Sequence, residues 1–152
     1  MTPYQASSLP TIVSNTYVDG KGIIKCASDI TNIGRKAFSG CTKLTSISIP
    51  STVISIEYNA FYGCSGLTSM IFPNAIKTIG NYVFENCISL TSVTIHNSVT
   101  SIGEGAFISC RNLTSITYTG TIAQYMAISK GRWWNDGVPA KVVHCSDGDT
   151  SI

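Results

Sequence analysis

Charge is what this 152-residue chain has least of: ten Lys or Arg and eight Asp or Glu make 12% of it, about half the usual share for a soluble protein. Its net charge of +2 is spread along the whole length, which excludes the dense basic face a nucleic-acid binder needs. Leucine is scarce too, with five residues against 20 Ile, 20 Ser and 17 Thr. That balance favours strands and is poor in helix formers. No apolar run approaches the roughly 18 residues that cross a bilayer. The start, Met1-Thr2-Pro3-Tyr4-Gln5, has neither the basic residues nor the apolar stretch of a secretory signal. A hydrophobic fraction of 43% nevertheless excludes a disordered chain.

What is present is a repeat. Cys41, Cys64, Cys87 and Cys110 follow one another at intervals of 23 residues, as do Phe38, Phe61, Phe84, Phe107 and Leu44, Leu67, Leu90, Leu113. Further columns are Ile33, Ile56, Ile79, Ile102; Ile47, Met70, Val93, Ile116; Ile49, Phe72, Ile95, Tyr118; and Val53, Ile76, Val99, Ile122. Written once, the unit is I-G-x-x-A-F-x-G-C-x-x-L-T-S-I-x-I-P-x-x-V-x-x. A fixed period in the range of 20 to 50 residues signals a solenoid or an array.

Within one unit, Ser46-Ile47-Ser48-Ile49 alternates as a half-buried strand does, and Pro50 ends it for want of an N–H. Ala37-Phe38, Cys41 and Leu44 are spaced for a short helical or 3₁₀ turn. One coil cannot bury its apolar side chains alone, so stacked neighbours supply the other wall. The expected fold is a β-rich α/β right-handed solenoid of about four full coils plus caps, with short parallel strands. Its coils fall near residues 33–55, 56–78, 79–101 and 102–123, after a half coil at 23–32. Residues 1–22 read as a capping hairpin built from Leu9-Pro10, Ile12-Val13 and Tyr17-Val18 ahead of Asp19-Gly20. Residues 124–152 read as a C-terminal cap, with a short helix at 124–128, a last strand at 141–145, and Trp133 and Trp134 packed over the open core.

The string L-x-x-I-x-I-P-x-x-V-x-x-I-G-x-x-A-F-x-G-C resembles the BspA-type leucine-rich repeat, a class of bacterial and protozoan surface proteins, over roughly residues 23–123. The segment from Ser129 to Gly148 is similar to the closing segment of that family. The resemblance implies a leucine-rich repeat solenoid in a cell-surface or secreted protein that adheres to host or neighbouring-cell proteins. One departure is that Thr52, Ala75, Ser98 and Thr121 stand where the general leucine-rich pattern has Asn or Cys, so no asparagine ladder is expected.

The residues carry no catalytic constellation. No C-x₂₋₄-C pair exists to converge on zinc, and parallel thiols in a stack read as six free, small hydrophobes. No two glutamates share a column. His96 has no carboxylate in its own column, and His144 points to the opposite strand face from Cys145. Asp147-Gly148-Asp149 reads as a tight turn, because the other ligands of a calcium loop are missing. No enzyme, cofactor or metal is expected.

Surface is what remains. Residues alternating with the buried strand positions form three outward columns: Ser46, Ser69, Ser92, Ser115; Ser48, Ile71, Thr94, Thr117; and Pro50, Pro73, His96, Thr119. Ser48, Ile71, Thr94, His96 and Thr117 are the expected ligand-binding residues, facing a protein or a glycan. A second variable surface carries Arg35-Lys36, Tyr58-Asn59 with Tyr62, and Asn81-Tyr82. A non-catalytic protein-binding or adhesion module is the leading expectation. A structural spacer within a larger surface or phage-borne protein is the alternative, and an ice-facing Ser/Thr array a minor one.

Overall fold

A computed structural model describes the strands at 12–18 and 21–26 and every residue from 30 to 152. Leu9-Pro10 and Asp19-Gly20 of the expected capping hairpin lie outside the described residues, as does the side chain of Cys26. In chain order the elements are β1 (Ile12–Val18), β2 (Lys21–Cys26), β3 (Asn32–Ile33), β4 (Leu44–Ser48), β5 (Ser55–Ile56), β6 (Ser69–Ile71) and β7 (Thr78–Ile79). There follow β8 (Ser92–Ile95), β9 (Ser101–Ile102), β10 (Ser115–Tyr118), α1 (Ile122–Met126), β11 (Ser129–Lys130), β12 (Val142–Cys145) and β13 (Gly148–Ser151).

The chain is a parallel-strand β-solenoid of about five turns with little helix. On one side β6, β8, β10 and β12 run parallel in register, with Met70, Val93, Ile116 and Val143 opposite one another. Strand β4 precedes them and pairs with β2, which pairs antiparallel with β1. A second sheet, β3-β5-β7-β9-β11, is built of two-residue strands around Ile33, Ile56, Ile79 and Ile102. The sequence marks that column as buried, but two residues are too few to show a strand period.

Between the sheets lies the dry core. Phe38, Phe61, Phe84 and Phe107 stand in single file, with ring centroids 5.2, 5.3 and 5.3 Å apart and planes nearly parallel. The column ends on Trp134, whose ring meets Phe107 edge-on at 6.3 Å. Burial is graded along the stack. Cys41, Ile47 and Ile49 are half-buried in the first coil, while their counterparts in later coils are fully buried. An end coil faces a hairpin on one side instead of a matching coil.

The turns carry a third ladder. Each has i to i−3 hydrogen bonds, such as Ala37 N–H to Gly34 O and Cys41 N–H to Phe38 O. Two left-handed residues interrupt each turn: Lys36 and Gly40, Asn59 and Gly63, Tyr82 and Asn86, Gly105 and Ser109, Trp133 and Gly137. Alternating hand points every second peptide along the stack, with N–H toward the following coil. Thus Lys36, Phe38 and Gly40 donate to the carbonyls of Tyr58, Ala60 and Tyr62. The pattern repeats at each of the next three steps, ending with Gly105, Phe107 and Ser109 on Arg132, Trp134 and Asp136.

At the C-terminal end, α1 starts two residues before the expected helix. Thr121 and Gln124 form a reciprocal capping box there, with bonds of 3.2 and 2.9 Å. The strand β12 matches the expected last strand. Beyond it, β13 folds back antiparallel on β12, with Cys145 opposite Gly148, a hairpin that its polar sequence does not announce.

Candidate functional site

Strand pairing brings the five expected binding residues onto one face, though not in one row. In the register of the sheet, Ile71 lies beside Thr94, Thr94 beside Thr117, and Thr117 beside His144. Ser48 heads the same column from the first coil and is exposed, beside Lys25 of β2. His96 stands one row over, past the end of β8, where its Nδ1 lies 3.4 Å from Thr119 Oγ1 and from Asn97 Oδ1. Around Ile71 the face is uncharged, and Ile71 itself is 71% exposed, the most exposed large apolar side chain among the described residues.

Two members of this face escape the 23-residue columns. His144 extends the Thr117 row, and its Nδ1 lies 2.8 Å from Asp149 Oδ1 on the neighbouring strand. The face therefore ends in a His–Asp pair, both partners about half exposed. The insertion after Thr121 shifts β12 out of period, so only the strand register reveals the continuation.

Many hydroxyls of the Thr columns are already engaged. Thr68 and Thr91 donate to the carbonyls of Thr45 and Thr68, and Thr100 donates to that of Lys77. These exposed threonines staple coil to coil, so their hydroxyl protons are already committed. The cysteines act likewise: the thiols of Cys64, Cys87 and Cys110 donate to Phe38, Phe61 and Phe84 O at 3.0, 3.2 and 3.0 Å. Burial pushes the Cys64 and Cys110 thiols up to about 12 and raises Cys87 as well. All five described cysteines are free thiols, and burial suppresses the thiolate a nucleophile requires.

The turn side holds the second variable surface. Arg35 lies over the Tyr58 ring at 4.5 Å, and Tyr58 meets Tyr82 edge-on at 6.0 Å. The Tyr82 hydroxyl donates to the Glu104 carboxylate, which raises the tyrosine's pKa. Glu57 accepts from Asn32 Nδ2 at 2.9 Å and from the Arg35 N–H at 3.1 Å. These side chains satisfy one another, so the tyrosines form a packed strip in which Tyr58 remains partly exposed.

At the C-terminal end Lys130 occupies the column that holds Ile102 one coil earlier. Its ammonium folds back to donate to Tyr125 O at 2.8 Å and Ile128 O at 3.3 Å, and lies 4.2 Å from the Tyr125 ring centre. Burial lowers its pKa. Among the described residues, no group of three His, Cys, Asp or Glu is placed to hold a metal ion, and no helix is long and apolar enough to cross a membrane.

Comparison with known proteins points one way. The family model described as BspA type leucine rich repeat region matches residues 21–128 in six copies. The chain is similar to a crystal structure of a leucine-rich repeat protein from T. pallidum, with 23% identity and a TM-score of 0.70, over 91% of this chain and 70% of that one. It is also similar to a leucine-rich repeat protein from Bacteroides ovatus (25% identity, TM-score 0.60), covering 84% of this chain and 41% of that one. A leucine-rich cell surface protein from Faecalibacterium prausnitzii is 17% identical, with a TM-score of 0.56, over 92% of this chain and 56% of that one. The chain thus spans well under two thirds of the length of the last two. No curated protein matches it.

Proposed function

The chain belongs to the BspA-type leucine-rich repeat family, and from that premise we propose that it is a non-catalytic protein-binding module that works at a cell surface. Its sheet face meets the partner through Ser48, Ile71, Thr94, His96 and Thr117. The observation that carries this reading is Ile71, 71% exposed on a stretch of that face where its strand neighbour is Thr94 and no charged side chain stands beside it. An isolated apolar side chain ringed by small hydroxyls is the right shape for one anchoring contact with a polar surround. The surface assignment draws support from the F. prausnitzii neighbour, which is described as a cell surface protein.

The test is saturable binding of the labelled chain to intact host or neighbouring bacterial cells, before and after protease treatment of those cells. Protease-sensitive binding that falls about tenfold with Ile71→Asp supports the reading. A spacer with no ligand is the competing reading, favoured by the absence of Trp, Tyr or Arg from this face. It predicts no specific binding and no effect of Ile71→Asp. Binding abolished by glycosidases but not by protease would replace the protein partner with a glycan.

A further inference from the structure

The three ladders of the solenoid are treated differently where they end. The main sheet is closed by β13, a short edge strand with Asp149 on it and Asp147 beside it, the kind of charged, short edge that resists further pairing. The second sheet is closed by Lys130, whose ammonium takes the Ile128 carbonyl. That carbonyl occupies the position of the Thr100 carbonyl, to which Ser129 donates one coil earlier. The turn ladder has no such stopper. Among the described residues nothing accepts from the N–H groups of Trp133, Asn135 and Gly137, the three that continue the donor columns of Gly105, Phe107 and Ser109. Trp133 is 58% exposed at that edge. In the preceding coils its column holds Lys36, Asn59, Tyr82 and Gly105.

We infer that this open end of the turn ladder is a second protein-docking edge, which binds the carbonyl edge of a polypeptide segment from a partner, with Trp133 as its side-chain anchor. The molecule itself shows what fits there. At four successive steps such a row of donors is met by carbonyls of every second residue of a polypeptide turn, with central bonds of 2.7, 2.9, 2.8 and 2.7 Å. The aligned peptides of all five turns add along the axis, so their positive end lies at Trp133, Asn135 and Gly137 and favours carbonyl oxygens. A tryptophan exposed beside main-chain donors supplies the buried area that three hydrogen bonds alone lack. A second copy does not fit by simple stacking, because β1 and β2 stand two strands ahead of β4 and β13 stands one strand beyond β12. The inference rests on the reading that the chain binds protein, but not on the sheet face.

The probe is the chain's own complement, a heptapeptide of sequence Glu57-Tyr58-Asn59-Ala60-Phe61-Tyr62-Gly63 blocked at both ends, titrated into the ¹⁵N-labelled full chain. Saturable shifts confined to the Trp133, Asn135 and Gly137 amides and the Trp133 indole are expected. Trp133→Gly, which restores the residue type found at Gly105 and suits a φ of 54°, should keep the fold and weaken the peptide about tenfold. Ile71→Asp should leave peptide binding unchanged, so the two surfaces fail separately. Silence at the three amides, or shifts at Ile71 and Thr94 instead, would overturn the inference. So would the same three shifts with inorganic phosphate alone, which would make the edge an anion nest, or sedimentation of the free chain as an oligomer blocked by Trp133→Gly.

Discussion

The Cys87 thiol donates to the Phe61 carbonyl, one coil back, at 3.2 Å, and the same carbonyl accepts the Cys64 N–H at 3.1 Å. A column that looks like a row of small hydrophobes is also a row of stitches between coils. Because the Cys64 N–H remains on that carbonyl, Cys87→Ala leaves no orphaned acceptor. Its expected cost is about 1–2 kcal/mol, from the small cavity and one weak bond, read as a lower urea midpoint under reducing conditions. A loss above about 4 kcal/mol would mean that the thiols carry more than this geometry assigns them.

Alkaline pH should unfold the protein through the same column. The thiols of Cys64 and Cys110 stand at about 12 in the folded chain against 9.0 in the free side chain, and Cys87 is raised too, all chiefly by burial. Above about pH 9 the unfolded chain releases these protons while the folded chain keeps them. The unfolded state then binds fewer protons, so stability falls as pH rises from about 9 toward 12. Melting temperature should be level from pH 6 to 8.5 and then decline. The decline should be shallower in Cys87→Ala; an identical slope in the variant would assign the effect to other groups.

Phe84 touches three rings, Phe61 and Phe107 at 5.3 Å and Phe72 at 5.7 Å, whereas Phe38 stacks on Phe61 alone. Truncation of Phe84 to Ala should cost about 3–5 kcal/mol, and Phe38→Ala less. Chemical denaturation of both variants checks the order, and a larger loss at Phe38 would contradict a core tightest in the middle of the stack.

The Tyr125 hydroxyl is buried without a hydrogen-bond partner, on a ring whose face carries the Lys130 ammonium. Removing it with Tyr125→Phe should be neutral or stabilise by up to about 1 kcal/mol, since an unsatisfied polar group is lost. Lys130→Met should instead destabilise by about 1–3 kcal/mol, because it leaves the Ile128 carbonyl without a donor, while the Tyr125 carbonyl keeps the Ile128 N–H at 3.2 Å. Hydrogen exchange should show that loss first at Ser129 and Gly131. Opposite signs for the two variants are the outcome that matters.

A Cβ at Gly103 would lie 2.6 Å from the Asn81 nitrogen and 2.6 Å from the Gly80 carbonyl carbon. Backbone cannot yield as a flexible side chain does, so Gly103→Ala should loosen the step between the third and fourth coils. A melting temperature unchanged by that substitution would show that the coils are less closely apposed.

The sequence alone determined the stack. Once Phe38, Phe61, Phe84 and Phe107 recur at one period with their apolar neighbours, like must sit on like, because no coil can bury its own face. It also marked the residues of the exposed sheet face, since strand alternation turns Ser48, Ile71, Thr94 and Thr117 away from the core. Tertiary structure alone decided the hydrogen bonding between coils. The second sheet has two residues per strand, and the turn ladder depends on left-handed residues at Lys36, Tyr82 and Trp133, types with no such preference. How the stack ends was equally hidden. Lys130 at an isoleucine position, β13 folded back on β12, and the bare N–H row at Trp133, Asn135 and Gly137 all arise where the period breaks, and there only spatial neighbours say which groups are met and which are left open.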